Sequence, residues 1–250
     1  MHNKPIALVT GANKGIGLQI AKDLANHGFT VLVGSRNFEH GETAAGSVGT
    51  GACALQLDVT DAASIAAAAE RVQHEFGRLD VLVNNAGISK MPKPGRSFEQ
   101  VLQDNRPSVV PIAEVRAVFE TNVFGVLAVT QAMLPLLRDA PAGRIVNVSS
   151  GAGSMARLAD PSRPGRQPGN ASYRPSKAAL NAVTLALAIE LEGTSIKVNA
   201  ACPGFVATDL NLFNGTGSVE EGAREPVRLA LLGPDGPTGT FSSAEGPIPW

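Results

Sequence analysis

Only two cysteines, Cys53 and Cys202, occur in 250 residues, which excludes the disulfide framework of a small secreted fold. Both lie in apolar runs, where a small buried thiol is the ordinary reading. Aromatic residues are scarce at 4%, with a single Trp and a single Tyr, so any phenol chemistry has one candidate. An excess of one charge sign is also missing: 21 Lys and Arg stand against 22 Asp and Glu. That balance argues against a nucleic-acid partner held by general phosphate attraction. No uncharged apolar run reaches the roughly 18 residues of a membrane span. The opening M-H-N-K-P followed by I-A-L-V-T-G is too short for a secretory signal. His2, His27, His40 and His74 are scattered without ligand spacing, so no metal site is expected. These absences lead to the expectation of a soluble cytoplasmic protein with no nucleic-acid or membrane partner.

What is present is a foldable globular composition, 44% hydrophobic and 17% charged. Short β-branched runs alternate with longer helix-compatible ones. Strands are expected at Ile6–Thr10, Phe29–Val33, Ala54–Leu57, Leu79–Val83, Ile145–Val148 and Ile196–Ala201, with a last short one near Gly239–Phe241. Helices are expected at Gly15–Asn26, from a cap at Thr60 or Asp61 to about Phe76, at Glu114–Leu137, Ser172–Leu191 and Glu220–Leu232. Between Val33 and Ala54 only a short Ala- and Glu-containing segment is read. Strands without polar alternation, separated by helices, indicate a parallel sheet covered on both faces. The fold class is therefore α/β, a Rossmann-type doubly wound parallel sheet in a single domain over residues 1–250. Excursions at 88–111, 151–170 and 205–219 interrupt the rhythm; the first holds Pro92, Pro94, Gly95, Pro107 and Pro111.

The strongest local signal is T-G-A-N-K-G-I-G at residues 10–17, directly after the first strand and opening the first helix. Glycines there let backbone approach a pyrophosphate, whose charge is met by helix N-terminal amides. Gly11, Asn13, Lys14, Gly15, Ile16 and Gly17 are thus candidate cofactor residues. The spacing is not G-x-G-x-x-G and lacks the Gly-Lys-Ser/Thr ending of an ATPase loop. An acid at the end of the second strand would favour the free ribose of NAD. This chain instead has G-S-R-N at 34–37. Ser35, Arg36 and Lys14 all favour NADPH; the alternative is that the two cations are solvated surface charges.

With these motifs in place the chain resembles the classical short-chain dehydrogenase/reductase family over nearly its full length. Asp58 and Val59 follow the third strand; the resemblance implies that Asp58 meets the adenine ring. N-N-A-G at 84–87, with Asn85, Ala86 and Gly87, is implied by the same resemblance to border the cofactor. Asn122 falls in E-T-N-V-F-G, where the family keeps a structural and proton-relay asparagine. V-N-V-S-S at 146–150, Y-R-P-S-K at 173–177 and C-P-G-F-V-A-T-D at 202–209 complete the set. The resemblance narrows towards monomeric-type carbonyl reductases and plant menthone- and salutaridine-reductase relatives, through T-G-A-N-K-G-I-G, the tail at 218–232, G-P-T-G-T-F and Trp250. Ser150 and Tyr173 stand further apart than in a minimal member but closer than in those carbonyl reductases. Whether the protein is a monomer or a homo-oligomer therefore stays open.

Tyr173 and Lys177, four apart on a helix, face the same way. An isolated pair of this kind is usually a surface feature; the family context gives it a chemical role. A nearby ammonium is expected to lower the tyrosine pKa from roughly 10, so that Tyr173 donates its proton to a carbonyl oxygen as hydride arrives. Pro175 fits only in a first helical turn, with Ser172 or Asn170 as cap. The resemblance makes Ser150, not the adjacent Ser149, the partner of the substrate carbonyl, and gives Lys177 the nicotinamide ribose. It has Asn122 steady a water between Lys177 and solvent, although a buried amide bonding only backbone would look the same. Pro203, Gly204, Val206 and Thr208 would border the nicotinamide, and the transferred hydrogen would be the pro-S one. Asp80 reads as a structural strand acid.

The expected activity is hydride transfer between NADP(H) and a ketone or aldehyde. A 3-oxoacyl-thioester reductase and a silent NADP-binding regulator are the competing readings. Met91, Met155, Leu158, Phe205, Leu210, Leu212 and Phe213 point to a hydrophobic carbonyl substrate. The Gly- and Asn-rich stretch 211–217 reads as a mobile lid, and Arg157, Arg163 and Arg166 as a solvated loop face or anion contacts.

Overall fold

The strand-forming runs are apolar at every position because each strand is covered on both sides. In the computed structural model, which describes residues 4–90, 95, 97–162 and 170–250, these runs form β1 (Ile6–Val9), β2 (Thr30–Ser35), β3 (Ala52–Gln56), β4 (Val81–Asn84), β5 (Arg144–Val148), β6 (Lys197–Ala201), β7 (Phe241–Ser243) and β8 (Gly246–Pro247). The sheet order is β3-β2-β1-β4-β5-β6-β7-β8. All neighbours are parallel except the final β7–β8 pair. This is the doubly wound α/β arrangement, with the chain reversing its direction of travel between β1 and β4. His2, Met91, Pro92, Pro94, Arg163 and Arg166 lie outside the described residues.

The two faces of the sheet differ in side-chain size. Ile6, Leu8, Leu32, Leu82 and Ile145 point to one core. Ala7, Val9, Val31, Val33, Val81, Val83, Val146 and Val148 point to the other. The first core is closed by α3 (Ala62–Phe76), α6 (Gly125–Arg138) and α8 (Tyr173–Glu190), the second by α1 (Gly15–Asn26), α2 (Phe38–Val48) and α9 (Val219–Ala230). Smaller side chains on the second face let its helices come close. Asp80 accepts from Ile6 N at 2.8 Å and from Arg78 Nε at 3.1 Å, so it pins the start of β1.

Several elements differ from the sequence expectation. α2 is a full helix where only a short segment is read. Its buried positions are Gly41, Ala44 and Ala45, too small to give a strong apolar stripe yet suited to close packing on β2 and β3. Asn37 caps it by accepting from His40 N at 2.9 Å. The 88–111 excursion contains α4 (Phe98–Asp104), opened by a reciprocal Ser97–Gln100 capping box. A short α7 (Met155–Ala159) lies in the next excursion. The helix expected at 114–137 is α5 (Ile112–Phe119), a π turn over Glu120–Phe124, then α6. By length and composition the stretch Ile112–Arg138 is long and apolar enough to cross a membrane. Here Val118, Val126, Val129, Met133, Leu136 and Leu137 are buried within the domain.

Candidate active site

The site assembles from the C-terminal ends of four adjacent strands, as parallel α/β sheets require. β1 runs into the glycine loop, β4 into Asn85-Ala86-Gly87, β5 into Ser149-Ser150 and β6 into Cys202-Pro203-Gly204. Thr10 and Asn85 join the first two. Thr10 Oγ1 accepts from Asn85 N and Ala86 N, each at 3.0 Å, while Asn85 Nδ2 donates to Thr10 O at 2.9 Å and to Gly11 O at 3.2 Å. The fit leaves no room for side chains at two glycines. A Cβ on Gly17 would stand 2.3 Å from Asn85 Nδ2, and one on Gly11, whose φ is +63°, 3.0 Å from Ala86 Cα. Thr10 was not among the residues singled out from sequence, although it opens the glycine motif.

Tyr173 is the first residue of α8. Pro175 contributes no N–H in that turn, and Asn170 meets two donors at its start: its Oδ1 accepts from Ser172 N at 2.9 Å and Tyr173 N at 2.7 Å. Of the two expected caps, Asn170 performs the function. Ser172, at the N-cap position, makes no capping bond of its own.

Ser149 and Ser150 point in opposite directions. Ser149 is buried and donates to Asn181 Oδ1 at 2.5 Å on α8. Ser150 is half-buried, accepts from Ala152 N at 3.2 Å, and acts on the Tyr173 hydroxyl in the direction that favours the phenolate. Lys177, one turn along, is buried; its Nζ donates to Val148 O at 2.7 Å and lies 5.7 Å from the Tyr173 ring centroid. The expected lowering of the tyrosine pKa does not occur here. Burial pushes the phenol up to about 12, outweighing the Ser150 hydrogen bond that favours the phenolate. Burial also lowers Lys177 to about 8. With the ammonium turned to a carbonyl, desolvation decides both groups. A tyrosine held protonated is the form needed to give a proton.

Asn122 is wholly buried in the π turn, a deviation from helix geometry often found at functional sites. Its Oδ1 accepts from Ile88 N at 2.8 Å, and its Nδ2 donates to Ile88 O at 2.8 Å and Ser176 Oγ at 3.0 Å. The amide therefore holds the chain after Gly87 against α8. A Cβ on Gly87 would meet Asn122 Oδ1 at 3.2 Å and Lys177 Nζ at 3.7 Å, so glycine keeps this corner open.

The segment after β6 folds over the glycine loop. Lys14 is ion-paired with Asp209, and a Cβ on Gly15 would touch Thr208 Cγ2 at 3.7 Å. Ser89 Oγ donates to Leu210 O at 2.6 Å from the other side. Leu212 and Phe213 carry positive φ of 55° and 59° and stand exposed, strained positions typical of functional loops. Val206 is buried with its side chain against α9, where a Cβ on Gly222 would approach it to 2.7 Å. Pro203 is half-buried and Gly204 exposed at the mouth. Arg157 reaches back towards the serine: its Nη1 would stand 3.3 Å from a Cβ on Gly151.

The short chain dehydrogenase profile matches residues 5–216. The chain belongs to that family. It is 36% identical to (-)-isopiperitenone reductase of Mentha piperita, covering 94% of this chain and 95% of the relative. It is 34% identical to Carbonyl reductase [NADPH] 1 of Mus musculus, covering 99% of each. The solved structure of salutaridine reductase from Papaver somniferum superposes with a TM-score of 0.81 at 31% identity, covering 95% of this chain and 99% of that one.

As a short-chain dehydrogenase the protein is an oxidoreductase of a family that binds a nicotinamide cofactor, and its cleft fits one. The N-terminus of α1 has no side-chain cap and no acid in its first turn, leaving its N–H groups and positive dipole end for a pyrophosphate. At the end of β2, Arg36 is exposed, while Ser35 is buried and donates to Asn37 O at 2.8 Å. Asp58 is half-buried; its Oδ1 accepts from Thr60 N and Thr60 Oγ1, at 2.9 and 2.7 Å. Val59 packs against Gly125 of α6, where a Cβ would meet Val59 O at 2.6 Å. That close approach holds the Asp58 turn at the cleft's rim.

Proposed function

We propose that this short-chain dehydrogenase reduces the carbonyl group of a hydrophobic ketone or aldehyde with NADPH, and runs in reverse as a secondary-alcohol dehydrogenase. The observation that carries this reading is the hydroxyl pair Ser150–Tyr173 beside the buried Lys177, at the mouth of an uncapped glycine loop. Bound in that loop, the cofactor supplies the hydride. Tyr173 donates its phenolic proton to the carbonyl oxygen as the alcohol forms, and the Ser150 hydroxyl donates a hydrogen bond to the same oxygen. Lys177 serves the nicotinamide ribose and restores the tyrosine proton. Asn122 keeps Ile88 and Ser176 in register around them.

Exposed Arg36 supports NADPH over NADH, since its guanidinium matches a 2'-phosphate and β2 ends without an acid. Lys14 joins it only after leaving Asp209. The three excursions shape the substrate site, with Phe98 and Phe205 at 6.4 Å between ring centroids favouring an apolar substrate. Arg157 beside Gly151 favours one with a further acceptor group near the carbonyl. A cytoplasmic location suits the NADPH reading.

Initial rates with NADPH and with NADH, against aryl ketones, keto esters, simple aldehydes and a 3-oxoacyl thioester, test the proposal. NADPH-linked reduction of ketones or keto esters is expected, and Tyr173→Phe should lower kcat by about 10²–10⁴-fold with cofactor affinity retained. Preference for NADH would overturn the role of Arg36. A thioester-only response would make it a 3-oxoacyl-thioester reductase, and turnover surviving Tyr173→Phe would remove the proton donor.

A further inference from the structure

The polar cluster that joins α4 to the start of α8 has no part in the chemistry above, yet Tyr173 depends on it. Tyr173 sits in the first turn of its helix, where backbone groups lack intrahelical partners and fraying begins. Pro175 presets a helical φ there and removes a donor that would have no intrahelical partner, so the placing of the turn falls to the residues before it. Downstream, Ser149 and Asn147 tie α8 to β5 through Asn181 and Thr184, but both contacts lie beyond the first turn. The chain entering the helix is held by Asn105, the C-cap residue of α4. Ala171 N donates to Asn105 O at 2.8 Å, and Ser172 Oγ lies 2.7 Å from Asn105 Oδ1 and 2.8 Å from Asn170 Oδ1, its one proton shared between them. On its other side Asn105 Nδ2 donates to Val101 O and to Glu114 Oε1, each at 3.0 Å. These two acceptors fix the amide's orientation, so its oxygen must face Ser172. Asn105, Glu114 and Ser172 are all 0% exposed.

From this arrangement we infer that Asn105 is a positioning residue for Tyr173, through which the substrate-side excursion at 88–111 sets where the phenol points. Buried polar networks hold geometry more than they add stability, and a displacement of about 1 Å at a reacting group costs as much as 10²-fold in rate. The inference rests on Tyr173 being the proton donor. It also gives α4, which carries Phe98 towards Phe205, a mechanical link to the catalytic helix.

The test compares wild type, Asn105→Ala, Ser172→Ala and the double variant. NADPH affinity, thermal midpoint and steady-state carbonyl reduction are measured, together with alkaline titration of tyrosinate absorbance. Tyr173 is the only tyrosine, so that signal belongs to it alone. Each single variant should lower kcat by about 10- to 100-fold with NADPH affinity kept. The double variant should lose less than the product of the two single losses, because one of the contacts each removes is shared. The tyrosine midpoint should move down towards roughly 10 as the loosened turn admits water. Folded variants with kcat, KM and tyrosine midpoint all unchanged would overturn the inference. So would equal losses of stability and activity with the midpoint unmoved, which describe a structural contact only. Should Asn105→Ala fail to fold, Asn105→Gln, which keeps the amide but shifts its oxygen, decides through the same readouts. Should wild type reduce no carbonyl compound, the proposed function falls, while the tyrosine midpoint still decides whether Asn105 positions Tyr173.

Discussion

Replacing Gly17 with alanine sets two opposed effects against each other. Within a helix interior alanine is favoured over glycine by about 1 kcal/mol, so propensity alone forecasts a more stable protein. Against this, the added Cβ would stand 2.3 Å from Asn85 Nδ2, 2.7 Å from Gly11 O and 3.1 Å from Ala12 Cα. Overpacking costs about 1–3 kcal/mol, and displacing Asn85 weakens its bonds to Thr10 O and Gly11 O, worth about 1 kcal/mol each. The net expectation is a loss of about 2–3 kcal/mol, or roughly 5–10 °C in thermal midpoint for a chain of this size. Cofactor affinity should fall with it, because Gly11 O and Gly17 belong to the loop itself. Gly46→Ala is the control: it lies in α2 with nothing within 4 Å of the new Cβ, and should raise the midpoint. Thermal denaturation and NADPH fluorescence titration measure both. A Gly17→Ala protein as stable as wild type, with undiminished NADPH affinity, would refute the packing argument.

Lys177→Met should abolish turnover yet stabilise the ligand-free protein at pH 7. Burial lowers Lys177 from 10.5 to about 8, so the unfolded state holds the proton more tightly and the buried charge costs on the order of 3 kcal/mol below pH 8. Loss of the bond to Val148 O offsets about 1 kcal/mol of the gain. Between about pH 8 and 10.5 the folded protein sheds this proton while the unfolded chain keeps it, so wild-type stability rises and the variant's advantage shrinks; denaturant titrations across that range would show it, and a constant difference would count against it. Asp209→Asn frees Lys14 from an exposed pair worth about 0–1 kcal/mol, and should tighten NADPH binding modestly; weaker binding by equilibrium titration would contradict the competition between Asp209 and the cofactor. Arg36→Ala should reduce the NADPH-to-NADH ratio of kcat/KM by about tenfold or more, a loss of one charge-assisted hydrogen bond or two; an unchanged ratio would leave Arg36 as a solvated charge.

Much of the sheet was legible because a buried parallel strand announces itself as an unbroken apolar run, as I-A-L-V does in β1. α1 matches its expected span, Gly15–Asn26, since its glycine loop and apolar stripe are both local signals. α2 was not legible, because glycine and alanine form its buried face. The π turn at Glu120–Phe124 leaves no mark in the helical period on either side of it. Ser150 could be separated from Ser149 by resemblance alone; the structure adds the reason, since Ser149 turns towards Asn181.

Motif order and residue type thus determined the family and the sheet, and singled out Ser150, Tyr173 and Lys177 as candidates, because these depend on motifs, periodicities and spacings carried within short windows. Tertiary structure decided the direction in which the Tyr173 pKa moves, where burial outweighs the influence of Ser150. It decided that Lys14 faces Asp209, 195 positions away, and that Asn105 meets Ser172 across 67. Desolvation and long-range pairing depend on which surfaces the folded chain brings together, and no local pattern encodes that.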